Sequence, residues 1–118
     1  MKKIYHLSSC STCQRIIKEL GLKEKGFVFQ DIKTEKITIQ QLDELIKMAS
    51  SVEALFSTKA IKYRELGLKD KKLADKEMKN YILSEYTFLK RPVIIVSSEI
   101  FVGSSPKNIS MLKASLYS

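Results

Sequence analysis

Two cysteines, the only ones in the chain, stand three residues apart in Cys10-Ser11-Thr12-Cys13. Thiols at that spacing suit three kinds of chemistry. In thiol-disulfide exchange, an accessible thiolate attacks a disulfide and a second, sheltered thiol resolves the mixed disulfide from the next turn of a helix. In metal binding the pair supplies half of a tetrahedral zinc site, and the remaining ligands are hard to find because His6 is the only histidine. In the third case the two are small packed side chains without reactivity. The surrounding pattern separates the two positions. Cys13, Ile16, Ile17 and Leu20 follow the i, i+3, i+4, i+7 spacing of a buried helix stripe. Cys10 falls at the helix entrance, where unpaired backbone amides stabilise a thiolate. That asymmetry favours exchange, with Cys10 as nucleophile and Cys13 as resolver, and makes Ser11 and Thr12 candidates for the lining of a substrate groove.

Other residues can support such a reaction. Arg91 is either an ordinary surface charge or a cation that lowers the Cys10 pKa or binds an anionic substrate. Pro92 either ends an irregular segment through a trans bond or forms a cis bond that shapes a groove for an extended thiol-bearing partner. His6, four residues before Cys10, is a packed strand residue or a group that adjusts the thiol charge and relays a proton. Lys59 and Arg64 are weaker candidates for binding anions, because both lie in a lysine-rich stretch.

The elements that must hold these residues follow from periodicity. Lys3–Leu7 reads as a short strand, and Gly21 is placed to end the first helix in a left-handed conformation. Phe27–Asp31 reads as a second strand. Thr38 and Gln41 form a capping box that opens a helix from about Ile39 to Ala49, with Leu42, Leu45, Ile46 and Ala49 inward. Val52–Phe56 suggests another short helix, with a stop at Leu66-Gly67. A further helix is predicted over about Asp75–Glu85, with Met78, Tyr81, Ile82 and Glu85 on its stripe. Val93–Val96 is a continuous β-branched run, as expected of a central strand covered on both faces. Ser97-Ser98 turns into a strand over Glu99–Val102. Ser105 before Pro106 starts a last helix whose apolar face is Ile109, Leu112, Ala114 and Leu116. The order is βαβ, a helical segment, then ββα, an α/β fold.

With 118 residues, 44% of them hydrophobic and 29% charged, the chain suits a single globular domain. No apolar run is long enough to cross a bilayer or to form the core of a secretion signal, so a cytoplasmic protein is expected. The formal net charge of +8 favours anionic partners. Between Lys59 and Lys79, eight basic residues are interleaved with four acidic ones. That mixture reads as a solvated surface rather than a nucleic-acid patch, and no direct DNA binding or membrane association is expected.

Three segments together resemble the arsenate reductase (ArsC)/Spx family: Ile4-Tyr5-His6-Leu7-Ser8-Ser9-Cys10-Ser11-Thr12-Cys13, Glu53-Ala54-Leu55-Phe56-Ser57-Thr58-Lys59, and Leu89-Lys90-Arg91-Pro92-Val93-Ile94-Ile95-Val96 with Val102-Gly103. They run in family order over nearly the whole chain. The resemblance implies one domain over 1–118, a thioredoxin-like βαβ-ββα core with a helical insertion at about 38–88. In the reductase branch, Cys10 matches the nucleophile, His6 the nearby histidine, and Arg91-Pro92 the arginine before a cis proline; glutathione and glutaredoxin complete the reduction. Ser57 and Gln14 stand where reductases place arginines, and Glu99–Gly103 lacks a late one. The Spx branch implies a Cys-x-x-Cys switch and contact with RNA polymerase α. Ser57-Thr58-Lys59 and Arg91-Pro92-Val93 resemble that branch, whereas Met48–Val52 lacks the glycine it presents to polymerase. Three functions are therefore expected to compete. They are a thiol-disulfide oxidoreductase or redox-responsive protein, a glutathione-linked arsenate reductase, and a polymerase-binding regulator. None needs a tightly bound cofactor or metal, and glutathione, glutaredoxin or a protein dithiol such as thioredoxin is the expected electron partner.

Overall fold

Four short strands carry the sheet in the computed structural model, which describes residues 1–117. Strand β1 (Lys2–His6) is followed by helix α1 (Ser11–Glu19), strand β2 (Val28–Asp31), and helices α2 (Ile39–Ala49), α3 (Ile61–Glu65) and α4 (Asp75–Ser84). Strands β3 (Val93–Val96) and β4 (Glu99–Val102) and helix α5 (Pro106–Leu116) complete the order. The sheet is open and mixed, ordered β2-β1-β3-β4, with β1 parallel to β2 and β3 antiparallel to β1 and β4. This is the expected α/β architecture, consistent with a thioredoxin-like core.

The chain divides into two units, Met1–Glu35 with the chain from Arg91 onward, and Lys36–Lys90. In the first, strand register aligns Phe29, Ile4, Ile94 and Phe101 across one face of the sheet. Ile16 and Ile17 of α1, Leu20 just after it and Leu112 of α5 pack into the same cluster, with Ile109 and Leu116 at its margin. All four residues of β3 are buried, as its unbroken apolar run requires. Gly21 takes φ 59° after α1, and Ser97 takes φ 56° in the β3–β4 turn. Ser105 caps α5 by accepting from the Asn108 amide at 3.1 Å. Ala114 is exposed, because the inward stripe of α5 runs through Ile109, Leu112 and Leu116 and leaves position 114 on the outer side.

The second unit is helical. Thr38 and Gln41 make the reciprocal capping box, at 3.0 and 3.1 Å, and Leu42 and Leu45 are buried. The expected helix over Val52–Phe56 is a single 3-10 turn, Glu53–Leu55. Its following residue, Phe56, bridges to Leu89 and stacks on Phe88 at 5.3 Å. Helix α3 has no buried residue, so it leaves no apolar stripe in the sequence. Glu77 accepts the Ala74 amide to open α4, and Lys79 of α4 pairs with Asp43 of α2.

Candidate functional site

The chain leaves β1 at His6 and turns through Leu7, Ser8 and Ser9 into α1. The Cys10 amide donates to the Leu7 carbonyl at 3.1 Å, and the Cys10 carbonyl accepts from Gln14 N at 3.1 Å to begin the helix. Cys10 is thus the N-cap residue, extended at φ −88° and ψ 109°. Its sulfur fills the place usually taken by a capping oxygen, accepting from the Cys13 amide at 3.4 Å. Cys10 is partly exposed and Cys13 is buried, as the helix pattern predicted.

The environments of the two thiols differ in sign. Partial burial pushes Cys10 up, but hydrogen bonds from the Cys13 amide and thiol, the charge of Arg91 and the Thr12 amide outweigh it, leaving Cys10 below an ordinary thiol. Burial pushes Cys13 up to about 12; a Leu7 backbone hydrogen bond and Arg91 oppose this, while the hydrogen bond and charge of Cys10 add to it. A thiolate is therefore favoured at the helix entrance and a neutral thiol one turn inside.

Arg91 is half-buried and its peptide bond to Pro92 is cis. Pro92 is buried, and its carbonyl accepts from Gly103 N at 2.9 Å, which fixes the start of β3. Ser11 is exposed and Thr12 half-buried between the thiols. His6 is buried with its ring edge against Phe29, 5.6 Å between centroids at 84°, and its Nδ1 has no hydrogen-bond partner among the described residues. Lys59 lies in the Lys36–Lys90 unit, where its amide donates to Ser57 Oγ at 3.3 Å. Both thiols and Arg91 belong to the sheet-bearing unit. Among the described residues, no three histidine, cysteine or carboxylate side chains gather to hold a metal ion.

Two residues near the thiols were not singled out for a supporting role in the sequence. Asp31 ends β2 opposite His6 in register. Hydrogen bonding from Ser8, with the Lys33 amide and the charge of His6 assisting against slight burial, holds its carboxyl below the usual range. The signal was available: a parallel βαβ unit places the C-terminal ends of its two strands side by side. Gln14 is the other, and its side-chain amide reaches back to the Leu7 carbonyl at 3.1 Å.

A family model described as "ArsC family" matches residues 5–112. The chain belongs to the ArsC family. It is 24% identical over 110 residues to the Escherichia coli K12 protein named "Uncharacterized protein YfgD", covering 91% of this chain and 92% of that one. It is 22% identical to the "Global transcriptional regulator Spx" of Lactiplantibacillus plantarum, covering 90% and 81%. A solved structure described as a possible arsenate reductase from Streptococcus mutans UA159 aligns with a TM-score of 0.72 at 27% identity, covering 93% of this chain and 98% of that one. Among the described residues, no helix of this ArsC-family chain is long and apolar enough to cross a membrane.

Proposed function

We propose that this protein is a thiol-disulfide oxidoreductase or redox-responsive protein in which Cys10 is the nucleophile and Cys13 the resolver. The observation that carries the reading is the Cys10 sulfur capping α1 on the Cys13 amide, with the buried Cys13 thiol hydrogen-bonded to it. In the proposed cycle the Cys10 thiolate attacks one sulfur of a substrate disulfide and expels the other as a thiolate. Cys13 then gives up its proton and attacks Cys10, releasing the second substrate thiol and leaving a Cys10–Cys13 disulfide. The substrate gains two electrons, with one proton from Cys13 and one from water, and an external dithiol or the glutathione and glutaredoxin system restores the pair. Arg91 supports the thiolate by its charge. Pro92, Ser11 and Thr12 line the proposed groove, His6 is a supporting group at the end of β1, and Lys59, in the Lys36–Lys90 unit, is a weaker anion-binding candidate.

Trapping tests this. Cys13→Ser should leave a stable mixed disulfide on Cys10 with an added disulfide substrate such as oxidised glutathione, and the parent should form a reversible internal disulfide instead. A parent that forms none, with Cys10 reacting as an ordinary thiol, would sink the reading. The similarity to the Streptococcus mutans protein favours arsenate reduction as the alternative enzyme activity. Arsenate turnover that needs Cys10 but survives Cys13→Ser would favour it over dithiol exchange. The similarity to Spx supports a regulatory reading, in which RNA polymerase α binds in a manner that changes with oxidation; no binding in either redox state would remove it.

A further inference from the structure

Leu7 meets both cysteines through its backbone. Its carbonyl accepts the Cys10 amide at 3.1 Å, and the residue supplies a backbone hydrogen bond to the Cys13 thiol. The same carbonyl takes a second donor, Gln14 Nε2, also at 3.1 Å and seven residues further along. Leu7 itself is buried, 5% exposed, and Gln14 is half-buried in the first turns of α1. A carbonyl oxygen has two lone pairs, and here one goes to the residue before the helix and the other to a side chain within it. The peptide plane following Leu7 is therefore held from two directions. Without Gln14, the carbonyl end of that plane keeps only the Cys10 amide, which moves with it, while the other end keeps the hydrogen bond from Ser8 N to Asp31 Oδ2 at 3.3 Å. The contact from the Cys13 amide to the Cys10 sulfur is 3.4 Å, so a small rotation of the turn changes the thiolate's nearest donor.

We propose that Gln14 is a positioning residue for the thiol pair, fixing the Leu7 carbonyl and through it the placement of Cys10 over the first turn of α1. The assignment deepens the dithiol reading and rests on it for its chemical consequence. Gln14 touches neither sulfur. Its donated hydrogen bond, rather than its bulk, is the property that matters.

The test uses the full chain and Gln14→Met, which keeps side-chain length and helix propensity while removing the donor. Gln14→Lys restores a donor on a long side chain and serves as the second variant. The thiolate absorbance of Cys10 is followed against pH, together with hydrogen exchange of the Cys10 amide and the melting temperature. Cys13, pushed up to about 12, does not interfere below about pH 10. Gln14→Met should lower the Cys10 thiolate fraction about threefold on the acid side of its titration and speed exchange of the Cys10 amide several-fold. Gln14→Lys should restore slow exchange, and melting should change little for either. A Gln14→Met protein with the parent's titration and exchange would overturn the assignment. So would loss of both through general unfolding, if folded Gln14→Lys exchanged as fast as a donor-free turn. Failure of the dithiol reading looks different: the parent itself would titrate as an ordinary thiol while Gln14→Met still sped exchange.

Discussion

Raising the pH should destabilise this protein through Cys13 specifically, and the size of the effect follows from its burial. In the folded state the thiol is pushed up to about 12, whereas an unfolded chain exposes it at about 9.0. Below the unfolded value the thiol is protonated in both states and contributes no pH dependence. Above it, the unfolded state loses the proton while the folded state keeps it, so stability falls by about 1.4 kcal/mol per pH unit until the folded thiol ionises. At about pH 10.5 the loss amounts to roughly 2 kcal/mol, an appreciable part of the stability of a domain this size. Cys10 acts with the opposite sign. Its lowered folded value contributes stability that is complete above the unfolded thiol value and is lost as pH falls through the folded one. Urea unfolding of parent and Cys13→Ala, both under a non-thiol reductant, should be compared at intervals from about pH 8 to about pH 10.5. Lysine and tyrosine titration affects both proteins alike and cancels in the difference. The parent's advantage over Cys13→Ala should shrink steadily across that range. A difference that stays flat with pH would refute the claim that burial holds this thiol neutral.

Two further outcomes follow from the same unit. Arg91→Gln removes a charge that helps hold the Cys10 thiolate, so alkylation of Cys10 by iodoacetamide near neutral pH should slow severalfold, and added salt should narrow the gap between parent and variant. Leu112→Ala opens a cavity where α5, with no exposure at this residue, packs on the sheet; chemical denaturation should show a loss of about 2–4 kcal/mol.

The parts of the fold that could be read from sequence are those in which a local pattern and a tertiary demand coincide. Val93–Val96 was recognisable as an interior strand because burial on both faces leaves no polar position in it. Thr38 and Gln41 marked the start of α2 because the cap is made by side chains within one turn. Of helix α3 only the stop at Leu66-Gly67 was legible; its body was hidden because none of its residues is buried, so nothing selects an apolar period. Ala114 was misplaced because alanine fits either side of a helix and gives no information about facing. At the site, the unequal thiols were legible from the position of Cys10 before the stripe that begins at Cys13. The support from Gln14 was not, since it depends on the turn that brings the Leu7 carbonyl back beside the first turns of α1; Asp31 was within reach of the pattern, because pairing β2 with β1 in a βαβ unit sets its strand end beside Ser8.

The inequality of the thiols also bears on the order of events in the proposed cycle. A resolver that ionised as readily as the nucleophile would place two negative charges within hydrogen-bonding reach of each other. Cys13 avoids this: burial holds it neutral, and the hydrogen bond and charge of Cys10 raise it further. Both contributions from Cys10 depend on that sulfur being a thiolate. Once Cys10 is joined in a mixed disulfide its charge is gone, while Leu7 and Arg91 still favour ionised Cys13. The resolver is then easier to deprotonate than before, and the departing substrate thiolate is available to take the proton. Attack on Cys10 is thereby favoured only after the first exchange has occurred, which is the sequence a two-step reduction requires.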